Sequence, residues 1–348
     1  MQEKKKNIKR IILSRTDGIG DVILTLPMAF YLKKSFKEIE VLFIGKSYTR
    51  AIIEACKNID RFIDWDELSK GGSAEIVDTI KNTAADSIIH VFPNRAIARA
   101  ARRAGIAQRI GTSHRWFHHT TCNTLVHFSR KQSGLHESQL NFKLLQPLGI
   151  YTTPFLPEIA GMYGLDFSGY PLPLHRLGID PHKPTLVIHP LSKGSSRDWG
   201  LDNWAKFIHI LPEETYNIVI TGSADEGETL RPLLTEPYSE KVIDTTGRLT
   251  LQELCSLISH ADALVACSTG PLHIAAAAGR AALGLFPPMR PIHPGRWQPV
   301  GKNAGYLVKP ITCNNCRKSD VCECIRSITP EEVLEKLLLM LTTADHRR

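Results

Sequence analysis

The sequence predicts an α/β protein built from two Rossmann-like, doubly wound domains, and three observations carry that reading. Short β-rich runs alternate with longer segments of helical period through both halves, the mark of parallel α/β layers. Each half opens on its own strand-loop-helix unit. A proline-dense stretch, Gly164–Pro184, with Tyr170-Pro-Leu-Pro-Leu and Asp180-Pro-His-Lys-Pro, separates them and argues for an ordered but non-helical linker. The domains are therefore set at 1–163 and 185–326, with the linker at 164–184 and a terminal helix and tail at 327–348. A length of 348 residues suits two domains, and 43% hydrophobic with 22% charged residues supplies two cores without a bias to disorder.

In the first half, Arg10–Ser14, Glu40–Ile44 and Ser87–Phe92 are predicted as buried strands. Between the first two, Asp21 to Lys34 has a helical period, with Val22, Leu26, Ala29 and Phe30 on one side. In the second half, Thr185–His189, Asn217–Thr221, Val242–Asp244, Ala263–Cys267 and Ala282–Phe286 are predicted strands. Asp202–Leu211 and Leu251–His260 are predicted helices between them. The terminal helix starts at Thr329, a cap, with Pro330 at its first position and Glu331 and Glu332 at its positive end. It is expected to pack back toward the first domain.

The amino terminus is no signal-peptide core, because its apolar run is closed by Arg15. No stretch approaches the roughly 18 apolar residues of a spanning helix. A cytosolic chain is expected, with reduced thiols, so its eight cysteines are not by default a disulfide framework. The net charge of +8 is unevenly placed: residues 1–150 hold 24 Lys/Arg against 14 Asp/Glu, and residues 151–348 hold 19 against 21. Between Asp86 and Glu137 there is no acid at all. That interval contains Arg95, Arg99, Arg102, Arg103, Arg109, Arg115, Arg130, Lys131 and six histidines. Such a block implies an anionic partner (nucleic acid, an anionic membrane surface or a phosphorylated glycolipid) or a solvated basic face.

In open parallel sheets ligands sit beyond the carboxyl ends of the strands, so the residues after each strand carry the chemistry. After the first strand runs Ser14-Arg-Thr-Asp-Gly-Ile-Gly-Asp21. Gly18 and Gly20 allow a tight turn, but Ile23 stands where a dinucleotide fingerprint needs its third glycine. Asp21 either caps the following helix or is a carboxylate placed to accept a proton. The second domain opens on His189-Pro-Leu-Ser-Lys-Gly-Ser-Ser-Arg-Asp-Trp199, where Ser192, Ser195 and Ser196 can donate to phosphate oxygens while Lys193 and Arg197 neutralise charge. The sharpest site is Cys267-Ser-Thr-Gly-Pro-Leu-His273, running from a strand into an alanine-rich helix. Ser268 or Thr269 can cap it, Gly270 lets a ligand approach, and His273 lies one turn in. Two such loops after different strands match a diphosphate. Asp225 and Glu226, after another strand, either hold sugar or ribose hydroxyls or cap a helix.

These pieces resemble the ADP-heptose:lipopolysaccharide heptosyltransferases, glycosyltransferase family 9. The matching motifs are Arg15-x-Asp-x-Ile-Gly-Asp-x-x-x-Thr-Leu-Pro27, Gly105-x-x-x-Arg-Ile-Gly111, Arg197-Asp-Trp with Trp204, and Ser268-Thr-Gly-Pro-Leu-His-Ile-Ala-Ala. They fall in the family's order and span nearly the whole chain. The resemblance implies a GT-B fold, its two domains facing across a cleft, and an inverting transferase that needs no catalytic metal. It makes Asp21 the general base and sets Ser192, Lys193, Arg197, Ser268, Thr269, Gly270 and His273 at the donor diphosphate. It implies ADP-heptose as donor and an anionic inner-core glycolipid as acceptor, met by the basic first domain through Arg15, Arg95, Arg99, Arg103 and Arg109. It also implies peripheral contact with the cytoplasmic face of the inner membrane. A nucleic-acid partner, suggested by the basic block alone, is the weakest reading because the two phosphate loops lie in the neutral second domain, and no nucleic acid is expected. Asp225, Glu226 and Met289 are candidates for the donor sugar or nucleoside. The chain departs from the family pattern at Ser268, where many members carry Asp, and at Phe286-Pro-Pro-Met-Arg-Pro, where Phe-Gly-Pro-Thr is more usual.

Cys313, Cys316, Cys322 and Cys324 lie within twelve residues. In a reducing compartment this spacing suits a structural zinc site of four thiolates, the alternative being thiols that order a loop. Two other functional readings stay open: a transferase of another sugar for another surface glycan, and a non-catalytic module that binds a sugar nucleotide or glycolipid.

Overall fold

The computed structural model describes residues 8–131, 133–192, 194, 196–212, 215–234, 240–311 and 321–345. The chain divides into two compact units, Met1–Asp166 and Phe167–Arg348. In the first, six parallel strands run β1 (Arg10–Ser14), β2 (Glu40–Gly45), β3 (Arg61–Asp64), β4 (Ser87–His90), β5 (Gln108–Thr112) and β6 (Thr124–Val126). Their spatial order is β3-β2-β1-β4-β5-β6. The order reverses between β1 and β4, and such a reversal opens a crevice at the carboxyl ends of the two strands. The Phe92 amide donates to the Ser14 carbonyl at 3.1 Å, tying the loops after β4 and β1 together there.

The second unit repeats this wiring. Its strands are β7 (Thr185–His189), β8 (Asn217–Ile220), β9 (Val242–Asp244), β10 (Ala263–Cys267), β11 (Ala281–Phe286) and β12 (Ala304–Val308), in the order β12-β11-β10-β7-β8-β9. Here the reversal lies between β7 and β10, in register with Ala266 beside His189. Both sheets are parallel with helices on their faces, which is why β1, β7, β10 and β11 read as continuous apolar runs.

The predicted helix from Asp21 to Lys34 is two helices, Ile19–Ile23 and Leu26–Ser35. Pro27 has no N–H for the Ile23 carbonyl and its ring crowds that turn, so the first helix stops. The Thr25 hydroxyl instead donates to the Asp21 carbonyl at 2.9 Å. The linker contains one helical turn, Leu174–Leu177, closed by Gly178 at a φ of 72°. Its first residues belong to the first unit, where the Asp166 amide donates to the Ala55 carbonyl. Its later ones are stitched to β8 through Asn217, whose side chain donates to the Asp180 and Lys183 carbonyls at 2.7 and 3.0 Å.

Trp199 and Trp204, the two tryptophans of the second domain's opening motif, are core residues. They are buried edge to face with ring centroids 4.8 Å apart, and the Trp199 indole donates to the Ile328 carbonyl at 2.8 Å. The terminal helix Pro330–Asp345 was expected to turn toward the first domain; its buried residues Val333, Leu337 and Met340 join the core around Trp199, Phe207 and Leu283. Among the described residues, no helix is long and apolar enough to cross a membrane.

Candidate active site

The loop after β1 places Asp21 in the first turn of the helix Ile19–Ile23. Gly18 occupies the N-cap position and no side chain caps this helix, so Asp21 is not its cap. A Cβ on Gly18 would lie 3.2 Å from the Asp21 carboxylate, and glycine leaves that approach open. Asp21 is bound by Arg15, a guanidinium only 3% exposed. Arg15 also grips Asp17 with two bonds of 2.8 and 3.0 Å and reaches Glu137 at 3.2 Å and the Asn141 amide oxygen at 3.2 Å. Burial alone would lower the Arg15 basicity, but the Asp17, Asp21 and Glu137 carboxylates more than reverse this and keep it charged. Burial raises Asp21, Arg15 draws it back, and the negative charges of Asp17 and Glu137 raise it again, to about 6. A carboxylate that titrates there is a competent base at neutral pH. Tyr48 closes the loop from another side, its hydroxyl donating to the Asp17 carbonyl at 2.7 Å.

Arg15, a candidate for the acceptor site, is buried and bound to three carboxylates, Asp17, Asp21 and Glu137. Arg109, expected there too, is spent on backbone, its guanidinium donating to the Thr121 carbonyl at 2.8 Å and to that of Ile106. The motif around it is structural: Gly105 turns with a φ of 75°, and a Cβ on Gly111 would strike the His118 ring at 2.6 Å. Arg95, Arg99 and Arg103 remain exposed on the helix Arg95–Arg103. Asn94 caps this helix, accepting from the amides of Ala96 and Ile97, while Ile97, Ala98, Ala100 and Ala101 face the core. The Arg95 guanidinium lies 4.6 Å from the ring centre of Trp116, a side chain 66% exposed. The acid-free block is thus divided between internal work and one basic, aromatic face.

In the second unit, the loops after β7 and β10 are neighbours because the strands are. The helix Gly270–Ala277 starts at Thr269 without a side-chain cap. Pro271 has no N–H to offer a capping hydroxyl, and the Thr269 hydroxyl is buried with no hydrogen-bond partner among the described residues. A helix start with its dipole uncapped, beside a buried polar group, suits an anion. Gly270 is the first residue of that helix, His273 is buried in its first turn, and Ser268 precedes the cap. In the other loop, Ser192 lies 2.8 Å from an Asp198 carboxylate oxygen and 3.3 Å from the Ser196 carbonyl, so its hydroxyl pins the loop. Arg197 is half-buried beside it. Lys193 and Ser195 lie outside the described residues.

Of the two carboxylates after β8, Glu226 caps a helix. Glu226 accepts from the Ser223 amide at 2.7 Å and the Ser223 hydroxyl accepts from the Glu226 amide, a reciprocal cap on the helix Ala224–Leu234. Asp225 is exposed, and Met289 packs on the core of the unit. Cys313 and Cys316 lie outside the described residues. Cys322 and Cys324 are buried in the core, and burial with Cys322 alongside pushes the Cys324 thiol up. Among the described residues no group of three or more His, Cys, Asp or Glu is arranged around a metal position.

Sequence reasoning missed Asp17, Arg130, Glu137 and Asn141 as parts of the site. One signal was present: Glu137 is the acid that ends the long acid-free interval, so it has cations to neutralise.

Two doubly wound units of one strand order, with a carboxylate at one switch point and an uncapped helix start at the other, have the architecture of glycosyl-transferring enzymes of the GT-B class. The family model of glycosyltransferase family 9 (heptosyltransferase) matches residues 79–325, more than half of the chain. The chain belongs to that family. Lipopolysaccharide heptosyltransferase 3 of Escherichia coli strain K12 is 25% identical over 280 residues, which cover 77% of this chain and 79% of the relative. The structure of E. coli ADP-heptose lipopolysaccharide heptosyltransferase II matches with a TM-score of 0.78 over 97% of this chain and 99% of its own, at 17% identity. An E. coli heptosyltransferase solved with ADP gives 0.73 over 95% and 99%, also at 17% identity.

Proposed function

We propose that this enzyme moves a heptose from ADP-heptose to a lipopolysaccharide inner-core acceptor, with inversion at the anomeric carbon and without a catalytic metal. The observation that carries the proposal is Asp21, a half-buried carboxylate at the switch point of the first sheet, raised to about 6. Asp21 takes the proton of the acceptor hydroxyl as its oxygen bonds to the anomeric carbon, and the bond from that carbon to the diphosphate breaks. ADP leaves with the bonding pair. The helix start at Thr269–Gly270, with His273, Ser268 and the loop of Ser192, Lys193 and Arg197, receives the charge that develops on the leaving group. A related E. coli heptosyltransferase has been solved with ADP and with ADP-2-deoxy-2-fluoro heptose, which supports ADP as the donor nucleotide here. Arg95, Arg99 and Arg103 offer the exposed cations that a phosphorylated, Kdo-bearing acceptor requires, and they suit contact of a cytosolic enzyme with the anionic inner face of the membrane.

Calorimetric titration with ADP-heptose, ADP, and UDP and GDP sugars tests this, with and without EDTA. Binding that prefers the ADP compounds and survives EDTA, followed by transfer to a heptose-deficient acceptor with an inverted anomeric centre, is the expected result. Preference for another nucleotide sugar removes the assigned donor, and binding without transfer points to the non-catalytic reading.

A further inference from the structure

Glu137 and Asn141 lie four residues apart on one face of the helix Glu137–Phe142, more than a hundred residues along the chain from Asp21. Both are buried. One Glu137 oxygen, Oε1, accepts from Arg15 at 3.2 Å and also from Arg130. The Asn141 amide oxygen accepts from the same two arginines, at 3.2 and 3.0 Å, and its amide nitrogen donates to the Leu24 carbonyl at 3.0 Å, just past the helix that bears Asp21. Arg130 is anchored further by the Val91 carbonyl at the end of β4. The helix therefore clamps the guanidinium that holds Asp21.

We infer that Glu137 is a positioning residue for the reaction: through Arg15 and Arg130 it sets the proton affinity of Asp21, so that the base is neither too acidic nor permanently protonated. The inference rests on Asp21 being the base. The charged and titratable groups that face Asp21 are Arg15 from the end of β1, Asp17 from the loop, Tyr48 from the turn Ser47–Thr49 and Glu137 from its helix, with Arg130 behind Glu137. Two guanidiniums thus meet three carboxylates in the cluster of Arg15, Arg130, Asp17, Asp21 and Glu137. The cluster is neutral with Asp21 protonated and carries one excess negative charge with Asp21 ionised. Removing Glu137 relieves that excess, and removing Arg130 doubles it.

The sign of the response separates a tuned base from a merely structural helix. Asp21 and Glu137 bind the same Arg15 nitrogen, so their carboxylates lie within about 6 Å, where one charge in a half-buried site moves a neighbour by about one pH unit. In kcat/KM against pH, the acid limb of the wild-type enzyme is expected near pH 6. Glu137→Gln should lower the limb by about one pH unit and reduce kcat on the alkaline plateau, since a weaker base remains. Arg130→Gln should raise the limb by a similar amount. Limbs that stay in place, or that move together in one direction, overturn the inference. If Glu137→Gln does not fold, Arg130→Gln decides the sign alone, and carboxyl NMR titration of Asp21 in that variant reads the same displacement without turnover. Asp21→Asn, assayed beside them, keeps the two ideas apart: full activity there removes Asp21 as the base, whereas an inactive Asp21→Asn with unmoved limbs removes only the role of Glu137.

Discussion

Replacing Asp21 by Asn should trade activity for stability, and the size of the trade follows from the charge cluster. In the folded protein Asp21 keeps its proton up to about pH 6, whereas in the unfolded chain it loses it near 3.8. Between those values the folded state binds more protons, so stability falls as pH rises through this window. The interval is a little over two pH units and each is worth about 1.4 kcal/mol, which sets a ceiling of about 3 kcal/mol on the cost of ionising Asp21 in place. The side chain is 26% exposed and its charge-assisted bond to Arg15 becomes a weaker one to a neutral amide oxygen, so a gain of about 1 kcal/mol is expected at pH 8 and almost none at pH 4. For a unit of this size that is about 2–4 °C in melting temperature. Turnover should fall by about 10²–10⁴-fold, the range for loss of a general base. Paired thermal melts at pH 4 and pH 8, with a transferase assay at pH 8, measure both. A variant less stable than wild type at pH 8, or one that turns over within tenfold of it, would refute the reasoning.

Glu226→Ala should cost about 1 kcal/mol in urea denaturation through loss of the reciprocal cap on the helix Ala224–Leu234, with donor affinity unchanged by calorimetry. A clear fall in donor affinity would return Glu226 to the sugar site. Trp199→Ala should destabilise the second unit by about 3–5 kcal/mol, as a large aromatic and its bond to the Ile328 carbonyl are removed from a close-packed core. Guanidinium denaturation followed by far-UV circular dichroism checks it, and a loss below about 1 kcal/mol would mean that the tryptophan pair is not central to that core.

Legibility in the sequence tracked how local the determinants are. β1, β7 and β10 fall where the apolar runs predict, because strands covered on both faces must be apolar throughout; β9, a partly exposed edge strand, was legible only from its short Val-Ile pair. β3, β5, β6 and β12 escaped notice: three are sheet edges, where residues such as Arg61, Leu125 and Tyr306 leave the patterns mixed, and β5, though interior, opens on Gln108 and Arg109 and has no apolar run. Asp21 and the Thr269 loop were visible because a post-strand turn is a local feature with its own residue code. The partners that give Asp21 its chemistry were not, since Glu137 and Asn141 reach Arg15 across more than 120 residues. Composition also overstated the free basic surface: Arg15, Arg109 and Arg130 are consumed by carboxylates and carbonyls that no linear pattern pairs with them. Glu226 shows the opposite difficulty, since a carboxylate that caps a helix and one that meets a ligand read alike in the sequence, and only the structure pairs it with Ser223.

The terminal helix has a consequence for biosynthesis. The first unit draws its core from residues that have all been made once Asp166 has been added, so it can close while translation continues. The second unit cannot, because Val333, Leu337 and Met340 fill the same core as Trp199 and Trp204. About 170 further residues separate Asp166 from Met340, roughly 10–35 s of synthesis at bacterial and eukaryotic rates. During that interval the ribosome carries a finished half beside one whose apolar sheet still lacks its last wall, and chaperone capture of nascent chains should fall on the second half.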